Sequence, residues 1–594
     1  MKILLVAIDA KFIHTNLAVH SLRSYSGQYK DYIHVAQYSI NHSKEEIFRG
    51  IYLHKADIVA FSCYIWNIDM VLSIIESLKK VDPKVKIWFG GPEVSYNPRD
   101  YLLKYKELDG IVIGEGEQTF YELIEYYLGI RQNLDNILGI AYKNSARRHT
   151  LAGKIEDTTW QTAPRNFMSL DDIPFAYPDI DSLKNKIIYY ESSRGCPYSC
   201  SYCLSSAHQG VRYRSMDLVK SELKRFLDYK VRQVKFVDRT FNCNRERALE
   251  IWRYIKEEDN GITNFHFEIT ADLLSDEELE TLASLRPGLI QLEIGVQTTN
   301  HDTMKAIKRK VDFTKLSANV KHIRKTGNIH QHLDLIAGLP LEGFTSFEKS
   351  FQDVYQLKPD QLQLGFLKVL KGSLIEEECK KHGIVYNNEP PYEVLYTKHL
   401  TYDEIIELKG ICDMVEVYYN SGQFVYSIEY LEHYFDSPMK LYASLYHYYD
   451  KNRLYELAHS RLRRYEILLE FFKDMNELKD MVSNYEFNDG MSKDDKREEN
   501  VLVFKEILLF DLCLREALRK RPDYVGAPIS YQSYRLICDK HKVNRSKIHI
   551  EKFVYDVLES SKQGKAIKRE CVILFDYDKR NPITNSANFY VLNE

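Results

Sequence analysis

KIIYYESSRGCPYSCSYCL, residues 186–204, sets an apolar and aromatic run directly against a loop that holds Gly195, Pro197 and three cysteines at C-x3-C-x2-C. The run reads as a strand and the loop as its carboxyl-terminal exit. Further along, VRQVKFVDRTF, NFHFEIT, GLIQLEIGVQ, IHQHLDLIAGLP and PDQLQLGFLKVL continue as strands. Helical segments near 217–229, 245–258, 276–284, 313–326 and 346–356 fill the gaps. Six strands with intervening helices predict an incomplete β/α barrel over 186–375, with chemistry at the carboxyl ends of its strands.

Toward the amino terminus, KILLVAI, HVAQYS, ADIVAFSCY, KIWFGG and GIVIGEG alternate with helical stretches, the pattern of a doubly wound parallel sheet. Residues 1–130 are therefore expected to form a Rossmann-like domain. Residues 131–185 are polar with little periodicity and end in SLDDIPFAYPDIDSL, whose prolines and aspartates disfavour a helix or central strand, so a linker is expected there. From 376 to 594 the text turns Tyr-rich and mainly helical, with aromatic stripes that read as core, and predicts an α+β accessory domain. Within it SKDDKREEN (492–500) reads as a solvated loop, and ECVILFDYDKRNPITNSANFYVLNE as one or two short strands around a turn. The overall fold class is α/β.

A chain of 594 residues is too long for one core. With 81 basic against 85 acidic residues it has no global positive field, so neither nucleic acid nor membrane is predicted as a partner. The first apolar run is only six residues long before Asp9 and Lys11, unlike a signal peptide, and no stretch approaches the roughly 20 apolar residues of a membrane span. A cytoplasmic location is expected. The ten cysteines then sit in a reducing compartment, where a tight group points to metal binding.

Three thiolates within eight residues can wrap one small cluster. A [4Fe–4S] cube needs four ligands, and three from the protein leave one iron open for a chelating small molecule. The competing readings are a zinc site, with His208 as the nearest fourth ligand, and three incidental thiols. No catalytic acid, base or nucleophile stands out from sequence.

C-x3-C-x2-C with Tyr202 before the last cysteine resembles the radical S-adenosylmethionine superfamily. VDRTFN (237–242), FEITADLL (267–274), EIGVQTTN (293–300) and DLIAGLP (334–340) are similar to the successive strand-end motifs of that barrel. The resemblance implies a [4Fe–4S] cluster on Cys196, Cys200 and Cys203, S-adenosylmethionine on its open iron, and an external electron donor such as flavodoxin or ferredoxin. It implies contacts to S-adenosylmethionine from Tyr202, Asp238, Arg239, Glu268, Gln297 and the turn Gly338, Leu339, Pro340. Many members place Gly-Gly-Glu after the second strand, where this chain has Val237, Asp238 and Arg239.

The first βα loop of the amino-terminal domain, AIDAKFIHTN, lacks G-x-G-x-x-G and so disfavours a dinucleotide. Its glycines lie in FGGPEV (89–94) and GEGEQTF (114–120), where an open α/β sheet presents its ligand crevice. These loops, SLDDIPF (169–175) and the cysteine motif resemble the cobalamin-binding-domain radical S-adenosylmethionine enzymes, and KFIHTNLAVHSL (11–22) and SCYIWN (62–67) resemble a subgroup with a carboxyl-terminal domain of unknown function. This implies cobalamin, contacted by Ser62, Tyr64, Trp66, Gly90, Gly91, Pro92, Glu93, Gly114, Glu115, Gly116 and Glu117. Tyr64, Ile65 and Trp66 either cover its lower face or form a wall between domains. Without Asp-x-His-x-x-Gly, no histidine from that motif reaches cobalt. The class implies methyl transfer to an unactivated carbon or a phosphinate centre on an unknown substrate; cobalamin-dependent rearrangement or cyclisation, and a non-catalytic cobalamin-binding protein, are the alternatives.

Overall fold

A computed structural model describes residues 1–149, 155–207, 210–479, 493–518 and 520–592. The first sheet holds β1 (Ile3–Asp9), β2 (Ile33–Ser39), β3 (Ile58–Ser62), β4 (Lys86–Gly90), β5 (Gly110–Val112), β6 (Ile140–His149) and β7 (Ile155–Gln161). Its order is β2-β1-β3-β4-β5-β6-β7, with the first five strands parallel and the last two antiparallel. All seven residues of β1 are buried because helices cover both faces. Helices Leu17–Tyr25 and Glu117–Tyr127 lie on one face, where Val19, Phe120 and Leu123 join Ile3 and Leu5; Lys44–Leu53 and Ile68–Val81 lie on the other. The strand order reverses between β1 and β3, and a ligand crevice belongs outside the carboxyl ends there.

Within 131–185, read from sequence as a linker, β6 and β7 extend this sheet as an edge hairpin. Among the described side chains of these two strands only Ile140, Ala141 and Tyr142 form a buried apolar run, so the polar sequence around them conceals the strands.

The second sheet is built from β8 (Ile188–Tyr190), β11 (Gln233–Phe236), β12 (Asn264–Ile269), β13 (Ile290–Gln297), β14 (His330–Ala337) and β15 (Gln361–Phe366), all parallel and in sequential spatial order. This is the expected six-stranded partial barrel. A two-stranded hairpin, β9 (Ser193–Cys196) with β10 (Gly210–Tyr213), is inserted after its first strand and carries the first cysteine.

Beyond the barrel come a short ladder, β16 (Val385–Tyr386) with β17 (Val394–Tyr396), a group of helices, and an antiparallel sheet of β18 (Ile548–Tyr555), β19 (Lys568–Arg580) and β20 (Ala587–Leu592). Tyr418, Tyr430, Tyr442 and Tyr465 are fully buried and share one continuous core with the barrel, so the aromatic stripes are packing. The run SKDDKREEN is not a loop over its described part: it opens the helix Lys493–Arg515. Acidic residues favour a helix amino terminus, and the buried FKEILLFDLC that follows anchors the segment. Among the described residues no helix is long and apolar enough to cross a membrane.

Candidate cofactor and active site

The cysteine loop is held from three sides. Cys196 ends β9 opposite Gly210, and a Cβ on the intervening Gly195 would lie 2.2 Å from the Gly210 carbonyl, so the hairpin closes only with glycine there. The Ser201 amide donates to the Ile307 carbonyl (2.9 Å), and the Ser201 carbonyl accepts from Ile375 (2.9 Å). Arg309 Nη1 lies 4.0 Å from Cys200 Sγ and 3.3 Å from the Tyr202 hydroxyl. Burial raises the Cys200 thiol, and Arg309 pulls the other way by favouring the thiolate a metal needs.

Among the described residues only Cys513, His549 and Glu551 bring three ligand atoms within 4.8 Å of one another, and Arg521 already occupies both oxygens of that Glu551. The three loop thiols do not all lie within that distance of one another. Zn–S bonds of about 2.3 Å would draw sulfurs to roughly 4 Å, so the spacing favours a larger cluster over a single zinc ion. His208 lies outside the described residues. Cys243, singled out by no sequence motif, stands nearby with its Sγ 3.3 Å from the Tyr213 hydroxyl.

A cavity of about 1410 Å³ opens between the carboxyl ends of the two sheets. Ser62, Tyr64 and Trp66 line it after β3, Gly90 to Glu93 after β4, and Gly114 to Glu117 after β5; Tyr202, Cys203, Arg239 and Glu268 line it from the barrel. One arm runs beneath helices Leu17–Tyr25 and Glu117–Tyr127, walled by Ile3, Leu5, Ala60, Trp88, Phe120 and Leu123. This slot is lined by apolar and aromatic side chains, the surface that takes the apolar part of a ligand. Sequence reasoning missed the slot, whose walls alternate along strands that read only as buried. Tyr64 and Trp66 stack at 4.3 Å and 9°, and Trp66 Nε1 donates to the Ile8 carbonyl (3.1 Å), which holds the pair as a flat platform.

Several expected contacts are engaged elsewhere. Glu93 accepts from Lys371 Nζ (2.7 Å) and from the hydroxyls of Tyr101 and Tyr392, bridging to the segment after β15. Glu115 and Glu117 pair with Arg194 and Arg212. Asp238 is buried and accepts from the Ser192 amide (2.9 Å) and the Ser192 and Ser193 hydroxyls (2.6 Å each), which ties β11 to the strand leading into the cysteines. Gln297, at φ +73°, donates to Asp334 (3.0 Å), and Gly338, Leu339 and Pro340 are buried with the turn against Val394. None of these last five reaches the cavity wall.

Where β1 of the first sheet meets the barrel, the cavity wall is polar. Asp9 is buried with one carboxylate oxygen unpartnered, and desolvation, partly offset by Asn16, pushes it up to about 6. Desolvation likewise carries Glu268 to about 7 against the pull of Arg239. Lys235 donates to Glu293 (2.9 Å) and stands 4.0 Å from Glu268. Burial would raise Glu293, but His266 and Lys235 overcome it and hold that carboxyl well below its ordinary range.

Residues 3–124 match the family B12 binding domain, residues 190–354 the radical SAM superfamily, and residues 380–575 a family described as a protein of unknown function, DUF4080. The chain therefore carries, in this order, a B12-binding domain, a radical SAM domain and the DUF4080 domain. It is 25% identical over 346 residues to an uncharacterized methyltransferase of Pyrococcus horikoshii, covering 57% of this chain and 71% of that protein. It is 26% identical over 310 residues to the cobalamin-dependent radical SAM methyltransferase TokK of Streptomyces tokunonensis, covering 49% of this chain and 44% of that one. An anaerobic magnesium-protoporphyrin IX monomethyl ester cyclase of Rubrivivax gelatinosus is 23% identical over 352 residues, with coverage of 56% and 60%. The fold is that of the cobalamin-dependent S-adenosylmethionine radical enzyme OxsB with aqua-cobalamin bound, at TM-score 0.54 and 16% identity over 86% of this chain and 80% of that chain.

Proposed function

We propose that the chain is a cobalamin-dependent radical S-adenosylmethionine methyltransferase acting on a substrate held between the two sheets. The observation that carries this reading is the single cavity shared by the 62–66, 90–93 and 114–117 loops and the cysteine hairpin, because methyl donor and radical source must meet one substrate atom. When bound, the cluster with S-adenosylmethionine supplies a 5′-deoxyadenosyl radical and the corrin supplies a methyl group. The chain's own residues bind and orient. Cys196, Cys200 and Cys203 hold the cluster, and Arg309 balances thiolate charge. Tyr64 and Trp66 would hold the corrin, and Phe120 and Leu123, which wall the slot, would hold the cofactor's nucleotide tail. Arg239 and Glu268 face S-adenosylmethionine or substrate, and Glu268 can keep a proton near neutrality.

With Asp9, Tyr189, Lys235, Arg239 and Glu268 on its wall, the substrate chamber supports a molecule with hydrogen-bonding or charged groups over a bare hydrocarbon. A protein carrier of electrons, of flavodoxin or ferredoxin type, and a cytoplasmic setting complete the reading.

The test is anaerobic turnover with methyl-labelled S-adenosylmethionine, a low-potential reductant and fractionated polar metabolites. Methyl transfer gives S-adenosylhomocysteine and 5′-deoxyadenosine in similar amounts, with label in the substrate-derived product as well as in the methionine released with 5′-deoxyadenosine. An unlabelled product and 5′-deoxyadenosine without S-adenosylhomocysteine would overturn methyl transfer in favour of rearrangement or cyclisation, the kind of outcome the cyclase relative makes pertinent.

A further inference from the structure

On the β9–β10 hairpin Arg194 and Arg212 are direct cross-strand partners. Like charges opposite each other destabilise a ladder, and a hairpin without a third strand has little to offset that cost. The acids that neutralise the pair come largely from the other sheet. Arg194 Nη2 donates to Glu117 (2.9 Å) and Nη1 lies 3.3 Å from Glu115, while the barrel side contributes only Glu191 (2.7 Å), in the link that precedes β9. Arg212 forks onto Glu115, donates to the Met168 carbonyl (2.7 Å) and lies over the Phe167 ring at 4.5 Å. Burial alone would raise Glu117, but Arg194 overcomes it and keeps it ionised.

Glu117 connects onward to the slot. It opens helix Glu117–Tyr127 and accepts from Ser21 (3.2 Å) on helix Leu17–Tyr25, the two helices that roof the apolar arm. Arg194 stands two residues before Cys196, with only the constrained Gly195 between them. A continuous run of short contacts therefore links the roof of the slot to the first cluster ligand.

We propose that Arg194 and Arg212 are positioning residues that register Cys196 on the Glu115–Glu117 loop, so that filling the slot and assembling the cluster favour each other. This rests on the reading of the slot as the cobalamin pocket and of the three cysteines as cluster ligands. Linkage then makes the effect reciprocal: whatever the cluster does to cobalamin affinity, cobalamin does to cluster retention.

The experiment measures the Kd of hydroxocobalamin for the full chain with and without its reconstituted cluster, with iron counted in each sample. The wild type should bind at least fivefold more tightly with the cluster, and should lose iron to a chelator more slowly when hydroxocobalamin is present. Arg194→Gln should bring the affinity ratio within twofold of one, and Arg194→Lys should restore part of it. Glu117→Gln leaves the cysteine hairpin's own sequence intact and should lose the same coupling, so a poorly assembling arginine variant does not block the test. A wild-type ratio of one, or a Glu117→Gln protein that keeps the full ratio, would overturn the clasp. Failure of the wild type to bind hydroxocobalamin or to hold iron would sink the site reading and the clasp with it.

Discussion

Cys196, Cys200 and Cys203 lie within eight residues of chain, whereas the walls of the apolar slot come from β1, β3, β4 and two helices spread between Ile3 and Leu123. The first site is written in spacing, because one loop supplies every ligand. The second is written in topology: its residues meet only once five strands have ordered themselves around the β1/β3 switch. Local order in sequence therefore predicts the cluster site residue by residue, but predicts the cobalamin side only as a region.

The largest effects should come from breaking each region alone. Replacing Cys196, Cys200 and Cys203 together by alanine should reduce cluster iron to background and abolish 5′-deoxyadenosine formation, with hydroxocobalamin still bound. Conversely, Ala60→Phe puts a ring into the slot and should weaken hydroxocobalamin at least tenfold, about 1.4 kcal/mol or more, while iron content stays near the wild-type value. If Ala60→Phe binds hydroxocobalamin normally, the slot is not where the nucleotide tail goes.

The same division explains what was legible. Helix Phe313–Thr326 emerges with the ends its periodicity predicts, and all six barrel strands appear in order, because both follow from local alternation. The β6–β7 hairpin and the charged first turns of helix Lys493–Arg515 were hidden, since their structure depends on neighbours distant in sequence. The polar site residues show a subtler failure. Glu93, Glu115 and Glu117 do line the cavity, but each has a partner that no sequence window contains: Lys371, Arg212 and Arg194.

Asp238 sharpens the comparison from within the barrel. Resemblance assigns it to S-adenosylmethionine, yet all its hydrogen bonds run to Ser192 and Ser193. Asp238→Ala should therefore cost about 1–3 kcal/mol of stability, seen as a lower Tm, and should change the S-adenosylmethionine Kd of the surviving folded protein by less than twofold. A large loss of affinity at unchanged Tm would restore the cofactor role.

The smallest effect contrasts the cavity with the carboxyl-terminal core through pH. Asp511 is buried and accepts from the Ser427 amide (2.8 Å), the Ser427 hydroxyl (2.7 Å) and the Tyr426 amide (3.2 Å), yet desolvation outweighs these bonds and carries it to about 7. Glu268 at the cavity wall also reaches about 7, again through burial first. A carboxyl raised on folding contributes stability that is complete below its unfolded value near 4 and is lost as pH rises through the folded value. Buried histidines act in the opposite sense: His332, lowered by desolvation to about 4, stays neutral when folded and costs stability as pH falls below about 6.5. The carboxyl loss runs from about pH 4 to about 7 and the histidine loss sets in only below about 6.5, so between about pH 6.5 and 7 the carboxyls act alone and ligand-free protein should lose Tm there, levelling off toward pH 8. Asp511→Asn removes one of the carboxyls responsible and should flatten the alkaline limb whether or not ligands are present. Glu268→Gln should flatten it as well, but that effect should change when hydroxocobalamin and S-adenosylmethionine fill the cavity, because only Glu268 exchanges its surroundings on binding. A Tm that climbs steadily from pH 6.5 to 8 would contradict the direction assigned to both carboxyls.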